Sequence, residues 1–111
     1  MQPTRILPDL QCSLMCEEVR QEANANFFLI GVLGLIRVPQ LPVMAFKLSV
    51  FNRWTAGVGQ FIETTRFIAP DQTTVLRKGE VKFSLKEAGQ HATNVTVFTQ
   101  VEFKTVGTYY V

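Results

Sequence analysis

Short segments in which apolar and polar side chains alternate dominate this sequence. The clearest covers residues 80–86, in which a valine, a phenylalanine and a leucine alternate with lysine, serine and lysine. A period of two is that of a β-strand with one buried face, because successive side chains of a strand point to opposite sides. No block of helical periodicity separates these segments. The pattern therefore constrains the chain to an all-β fold.

Composition supports this prediction. Valine, isoleucine, threonine and the aromatic residues make up 41 of the 111 residues, and these are the types that favour a pleated, half-buried surface. The length is typical of one domain, and we assign residues 1–111 to a single one. Only 18% of the residues are charged, which excludes a natively disordered chain.

Glycines, prolines and polar runs interrupt the apolar segments and divide the chain into about seven predicted strands. They are placed at residues 8–16, 27–33 with a continuation over 35–38, 46–54, 60–69, 80–86, 94–104, and from 108 to the end. Residues 17–26 are polar and are predicted to form a loop, and the prolines within 39–42 mark a connection or a sheet edge. Strands at this spacing favour an antiparallel β-sandwich.

The buried faces of two strands are less regular. Phe51 falls on the nominally outward face of its strand. In residues 94–104 the valines at 95, 97 and 101 are predicted to share one buried face with Phe103, which leaves Phe98 on the outward face.

The cysteines and the N-terminus bear on the compartment. Cys12 and Cys16 lie on one predicted strand, where their Cα atoms would be about 13 Å apart, so we predict free thiols rather than a disulfide. Residues 1–10 lack the apolar core of a secretory signal. The longest apolar run, 27–36, is half of the roughly 20 residues that a membrane helix needs. We expect a cytoplasmic protein without a membrane segment.

No catalytic or metal-binding set is recognisable. His91 is the only histidine, and a nucleophile needs a base beside it. Two cysteines and one histidine are too few for a structural zinc site. The glutamates at 17, 18, 63 and 80 form no pair of the kind that glycosidases use. We therefore predict a protein that is not an enzyme and that needs no cofactor or metal.

Recognition by strand edges and end loops is the remaining prediction. Exposed aromatic residues and the glycine turn after the third main strand are the candidate interaction residues. They are Phe51, Trp54, Gly57, Gly59, Phe98, Tyr109 and Tyr110.

A basic sheet face is the alternative. Arg77, Lys78, Lys82 and Lys86 lie close together along the chain and could bind a small anionic ligand or single-stranded nucleic acid. The net charge is only +2, which argues against a dedicated nucleic-acid binder.

Several segments carry a resemblance to a known group of proteins. Residues 16–20, 28–33, the pair Leu41 and Pro42, and residues 54–59 resemble an uncharacterised bacterial family of small, single-domain β-sandwich proteins. The resemblance covers most of the chain and implies a β-sandwich fold without implying an activity.

The C-terminal segment, 103–111, is similar to the penultimate strand of immunoglobulin-like sandwiches, with a Gly-x-Tyr entry. In the uncharacterised family such a strand is followed by a turn and one more strand, and the absence of that strand would leave an open edge unless residues 1–7 cover it. We therefore expect self-association, as a homodimer or a larger assembly, with another protein as a second possible partner.

Overall fold

The computed structural model of the protein describes residues 6–41 and 46–111, and all regular structure in them is β. Predictions that concern residues 1–5 and Pro42 lie outside these ranges. The described ranges contain eight strands: β1 (Asp9–Gln21), β2 (Phe27–Leu33), β3 (Ile36–Val38), β4 (Phe46–Thr55), β5 (Gly59–Ile68), β6 (Val75–Leu85), β7 (His91–Val101) and β8 (Gly107–Tyr109).

Four strands form an antiparallel sheet in the order β2-β1-β4-β7. β4 lies in the interior of this sheet and pairs with β1 on one side and with β7 on the other. One bulge, between Leu10 and Cys12, shifts the register of β1 against β4. β2 is joined to the sheet only through β1 among the described residues.

The other four strands form the second layer. β3 pairs with β8, and β5 pairs with β6. Ile68 joins the two pairs, because its backbone N–H donates to the Tyr110 carbonyl at 2.7 Å and its carbonyl accepts from the Tyr110 N–H at 3.0 Å. The C-terminal segment, where an open edge was expected, is therefore bonded on both sides.

The apolar core lies between the layers. From the four-stranded sheet come Leu48 and Val50 of β4 and Phe98 and Val101 of β7. Phe67 of β5 is fully buried among them and stacks on the ring of Tyr109, the two centroids being 5.5 Å apart. Because one cluster contains residues of both layers, the two layers pack face to face as a β-sandwich.

The predicted fold class, an all-β antiparallel sandwich, is confirmed, and residues 6–41 and 46–111 contain eight strands against about seven predicted. The strand at 27–33 has the predicted bounds, but the continuation predicted over 35–38 is wrong, because Ile36–Val38 forms β3 and pairs with β8 in the other layer. The loop predicted for 17–26 is wrong over 17–21, where β1 continues and pairs with β2. The polar side chains of 17–21 gave no local sign of a strand, and pairing with an apolar neighbour outweighed their low strand propensity.

The face predicted for the strand over 94–104 is wrong at residues 97 and 98, whereas Val101 and Phe103 are buried as predicted. Phe98 points into the core, and Val97 is exposed. Gln100 has a positive φ of 52°, and this irregularity moves the alternation by one residue, so that Val101 is buried as well as Phe98. A bulge of this kind leaves little trace in the pattern of apolar residues.

Candidate functional site

β2 presents a row of large apolar side chains to solvent. Phe28, Ile30 and Val32 are 56%, 39% and 55% exposed, and as alternate residues of one strand they share a face. We call these three residues the β2 strip. Leu33, which lies out of phase with them, packs against the core. The strand therefore uses one face to hold the fold and leaves the other apolar face in water.

The backbone of β2 is also open on one side, since this strand ends the order of the four-stranded sheet among the described residues. Edge strands are usually protected by lysine, proline or a bulge. β2 contains no charged residue and no proline. Gly31, with a φ of 67°, is its one irregular position. The strand thus combines apolar side chains with a backbone that has no strand partner on one side within the described part of the chain.

Charged groups beside the β2 strip are paired within the chain. Glu18, opposite Ile30 in the register, forms ion pairs with Arg20 at 3.1 Å and with Lys47 at 3.6 Å. The hydrogen bond and charge of Arg20, and then the charge of Lys47, lower the pKa of the Glu18 carboxyl. The charges beside the strip are therefore partly neutralised by one another.

The two aromatic residues expected to be exposed anchors are buried. Phe51 is 6% exposed, and its ring meets that of Phe27 edge to face at 5.6 Å. Phe98 is 3% exposed and belongs to the core cluster. Both residues were selected because they were predicted to be exposed, and the structure contradicts that prediction. Each of them is covered by a ring or a layer that is distant in the sequence.

The turn region selected with them has structural contacts. The Trp54 indole N–H donates to Glu63 Oε1 at 2.7 Å, and its ring stacks on Phe83 at 5.9 Å. Gly57 is buried where a Cβ would approach Pro8 to 2.7 Å, and Gly59 begins β5 with a φ of 132°. The lack of a side chain at Gly57 thus allows the β4–β5 connection to lie against Pro8, just before β1.

The C-terminal tyrosines differ in exposure. Tyr109 is buried, and its hydroxyl donates to the Thr105 carbonyl at 2.6 Å. Tyr110 is exposed on its side chain while its backbone pairs with Ile68. Tyr110 alone of these two offers a surface to a partner.

The predicted basic face is divided between two sides of β6. Lys78 and Lys82 lie on the exposed side, and Lys78 pairs with Glu80 at 3.0 Å. Arg77 points the other way, donates to the Thr99 carbonyl at 2.9 Å and lies over the Phe98 ring.

Lys86 follows the end of β6 and is exposed. Arg66, which sequence reasoning missed, lies opposite Lys78 on β5. The aromatic rings of this ribbon, Phe61 and Phe83, occupy the alternate positions to the lysines and contact each other. The lysines are therefore not combined with a stacking platform of the kind that single-stranded nucleic acid uses.

A second feature that sequence reasoning missed lies between the layers. Glu63 is 4% exposed, in phase with the buried Phe61 and Phe67 on β5. Across the interior, Asn94 of β7 lies with its Nδ2 atom 3.5 Å from Glu63 Oε1, and Asn52 of β4 lies opposite Asn94 in the register. A signal was available, because a glutamate at an inward position of a strand is unusual unless it has a partner.

Residues with catalytic potential are not brought together in the described ranges. His91 is exposed at the start of β7. Cys12 and Cys16 are free thiols, and burial raises the pKa of Cys16. Residues 6–41 and 46–111 contain no group of three or more histidine, cysteine, aspartate or glutamate side chains placed to share a metal ion. They also contain no helix that is long and apolar enough to span a membrane.

Comparison with known proteins gives one result. A family of unknown function, DUF6941, matches residues 11–111. No curated protein and no solved structure matches the chain.

Proposed function

The chain belongs to the DUF6941 family of unknown function, and we propose that it is a non-enzymatic interaction module that associates with a second copy of itself through β2. One observation carries the proposal: an uncharged edge strand exposes three alternate large apolar side chains. Exposed apolar rows on an open edge are where another strand adds to a sheet.

A two-fold pairing fits the composition of the strand. In an antiparallel pair of β2 strands centred on Ile30, each Phe28 lies opposite a Val32 of the other copy. Every cross-strand contact on this face is then apolar, and no charges of like sign meet. The two four-stranded sheets would join into one of eight strands. A contact limited to one strand is small, so the dimer is expected to be weak and dependent on concentration.

Sedimentation velocity of the full chain, from micromolar to submillimolar concentration, tests the proposal. We expect the wild type to shift from monomer to dimer. Ile30→Lys should remain a monomer, because two lysines would then face each other at the centre of the contact. Ile62→Lys is the control, since Ile62 is a 60% exposed isoleucine on β5 in the other layer. A wild type that stays monomeric, or an Ile30→Lys variant that still dimerises, contradicts the proposal.

Salt distinguishes this function from the alternative on the lysine side of β6. Association through uncharged side chains should change little between low and high salt, whereas phosphate contacts weaken steeply. Lys78 is paired with Glu80, and Arg77 lies on the other face of β6 bonded to the Thr99 carbonyl, so the alternative has less support. Capture of nucleic acid by the tagged chain that is lost at high salt, together with a monomeric protein, would favour the alternative.

The proposal also covers the cellular compartment, the source of the protein and its likeness to immunoglobulin-like sandwiches. Two free cysteines suit the reducing cytoplasm, and the sequence resemblance suggests a bacterial source. The hydroxyl of Tyr109 bonds to a carbonyl four residues upstream, as does the conserved tyrosine at a strand corner of immunoglobulin-like sandwiches. This contact supports the immunoglobulin-like comparison.

A further inference from the structure

A row of polar side chains crosses the inner face of the four-stranded sheet. Asn52 of β4 lies directly opposite Asn94 of β7 and directly opposite Ser13 of β1. Both asparagines are buried, whereas Ser13 is exposed. The row therefore begins in the interior and reaches solvent at the β1 end.

The carboxylate of Glu63 comes from the other layer and faces this row. Its Oε1 atom accepts from the Trp54 indole at 2.7 Å and lies 3.5 Å from Asn94 Nδ2. Because residues directly opposite in an antiparallel pair have Cβ atoms about 5 Å apart, Asn52 adjoins the same space through Asn94. One carboxylate and two amides are thus gathered between the layers.

Two oxygen atoms in this group are buried and have no hydrogen-bond partner among the described residues. They are Glu63 Oε2 and Asn52 Oδ1, and both residues are more than nine-tenths buried. Thr96 Oγ1, two residues along β7 from Asn94, is buried and unpartnered as well. Carboxylate and amide oxygens accept and cannot donate, so a further hydrogen-bond acceptor would not satisfy them.

The charge of Glu63 points to the class of ligand. None of the ion pairs formed within residues 6–41 and 46–111 includes Glu63, and the two side chains bonded to it are neutral. Burial of a carboxylate without an opposite charge is costly, and a water molecule supplies hydrogen bonds but no charge.

We propose that Glu63 and Asn52 bind a single alkali cation, Na⁺ or K⁺, between the two layers. Hard cations take carboxylate, amide and hydroxyl oxygens as ligands. One carboxylate among otherwise neutral ligands balances one positive charge, which favours a monovalent ion over Ca²⁺ or Mg²⁺. The exposed Ser13 end of the row provides the path for entry and for the water molecules that complete the coordination.

Trp54 reports on this site directly. It is the only tryptophan, and its indole N–H bonds to the carboxylate that would hold the ion. We expect a saturable change in its emission when NaCl or KCl replaces choline chloride at constant ionic strength. Glu63→Gln should abolish the change. Glu80→Gln should retain it, because Glu80 is an exposed glutamate on the neighbouring strand.

Thermal unfolding gives a second readout. With the ion at about ten times its dissociation constant, we expect the wild-type midpoint to be roughly 4–8 °C higher in NaCl or KCl than in choline chloride. Glu63→Gln should unfold at one temperature in all three salts. Equal wild-type midpoints and unchanged emission would overturn the proposal and indicate a buried water or a neutral carboxyl. A response to CaCl₂ alone would overturn the monovalent assignment.

Crystallography of the wild type tests the proposal even if the variant does not fold. Crystals grown in RbCl should show an anomalous peak within coordination distance of Glu63 Oε2 and Asn52 Oδ1. A map without a peak there contradicts the proposal. The site lies between the layers and not on the β2 strip, so its test and the dimerisation test fail independently.

Discussion

At the scale of single residues, burial separates the two thiols of β1. Cys16 is fully buried, donates its S–H to the Ser49 carbonyl at 3.6 Å, and has a pKa raised by burial. Cys12, four residues earlier, is half-buried. Since the thiolate is the reactive form and must also be reached by reagent, the two should differ in reactivity.

We expect iodoacetamide to alkylate Cys12 in the folded protein and Cys16 only after unfolding. Intact-mass spectrometry of Cys12→Ser and Cys16→Ser variants follows each thiol separately, and the same experiment in denaturant is the control. Equal native rates for the two variants would show that Cys16 is accessible and that β1 opens there.

Single residues also show when the alternation along a strand is enough to predict whether a side chain is buried or exposed. The inward phase of Glu63 could have been recognised from Phe61 and Phe67 on the same strand. The burial of Phe51 could not, because Phe27, which contacts it, lies 24 residues away in the sequence. A side chain on the outward face of its strand is exposed only when no other element covers that face.

At the scale of strands, Gly31 sets the local shape of β2. Its φ is 67°, a region that costs other residues roughly 1–2 kcal/mol, and a Cβ there would lie 2.7 Å from the Glu17 side chain. Glu17 is exposed and can move aside, so backbone conformation dominates the cost.

Gly31→Ala should therefore lower the free energy of unfolding by about 1–2 kcal/mol. Gly34→Ala is the matched control, because a Cβ at Gly34 meets nothing within 4 Å, and we expect a change within about 0.5 kcal/mol. Urea unfolding at concentrations where the protein is monomeric measures both. Equal losses in the two variants would contradict the role given to the φ of Gly31.

The β5–β6 turn depends on a charged side chain. Asp71 accepts hydrogen bonds from the Thr74 hydroxyl and from the backbone N–H groups of Thr74 and Thr73. These bonds lower its pKa from 3.8 to about 2. The folded turn thus prefers the ionised carboxylate, and its contribution to stability is present above pH 3.8 and is lost as the pH falls towards 2.

We expect Asp71→Asn to remove this part of the acid dependence of the thermal midpoint. Asp9→Asn, at an exposed aspartate in β1, should leave it in place. Melting curves between about pH 5 and pH 2 make the comparison. If the thermal midpoints of the wild type and of Asp71→Asn changed in the same way with pH, the contribution of Asp71 to the acid dependence of stability would be refuted.

At the scale of the whole molecule, the sandwich is not bonded uniformly. β4 pairs on both sides and supplies Leu48 and Val50 to the core. β6 pairs only with β5 among the described strands, and β2 only with β1. Elements with fewer bonds and fewer buried contacts open more readily than the core.

Amide hydrogen exchange should follow this order. We expect the slowest exchange in β4, at rates close to those of global unfolding, and faster exchange in β6 and β2. Raising the protein concentration should slow exchange in β2 while β6 stays unchanged, because only β2 is proposed to pair with a second copy. Protection in β6 equal to that in β4 would contradict the assignment of β6 as an edge.

Local pattern was sufficient for the fold class and for most strands. The run at 27–33 and the alternation in β5 and β6 required no knowledge of partners, because strand period and turn residues are properties of neighbouring positions. The absence of a helical period likewise made the all-β class predictable.

Only the tertiary structure decided which face of a strand is covered and where the edges lie. Residues 17–21 became part of β1 through pairing with β2, and the C-terminal segment lies between β3 and β5 instead of at an edge. The exposure of the β2 strip and the partners of Glu63 were hidden for the same reason, although the inward position of Glu63 could be recognised from β5 alone. Exposure and charge pairing depend on contacts between residues far apart in the chain, and a period of two contains no information about those contacts.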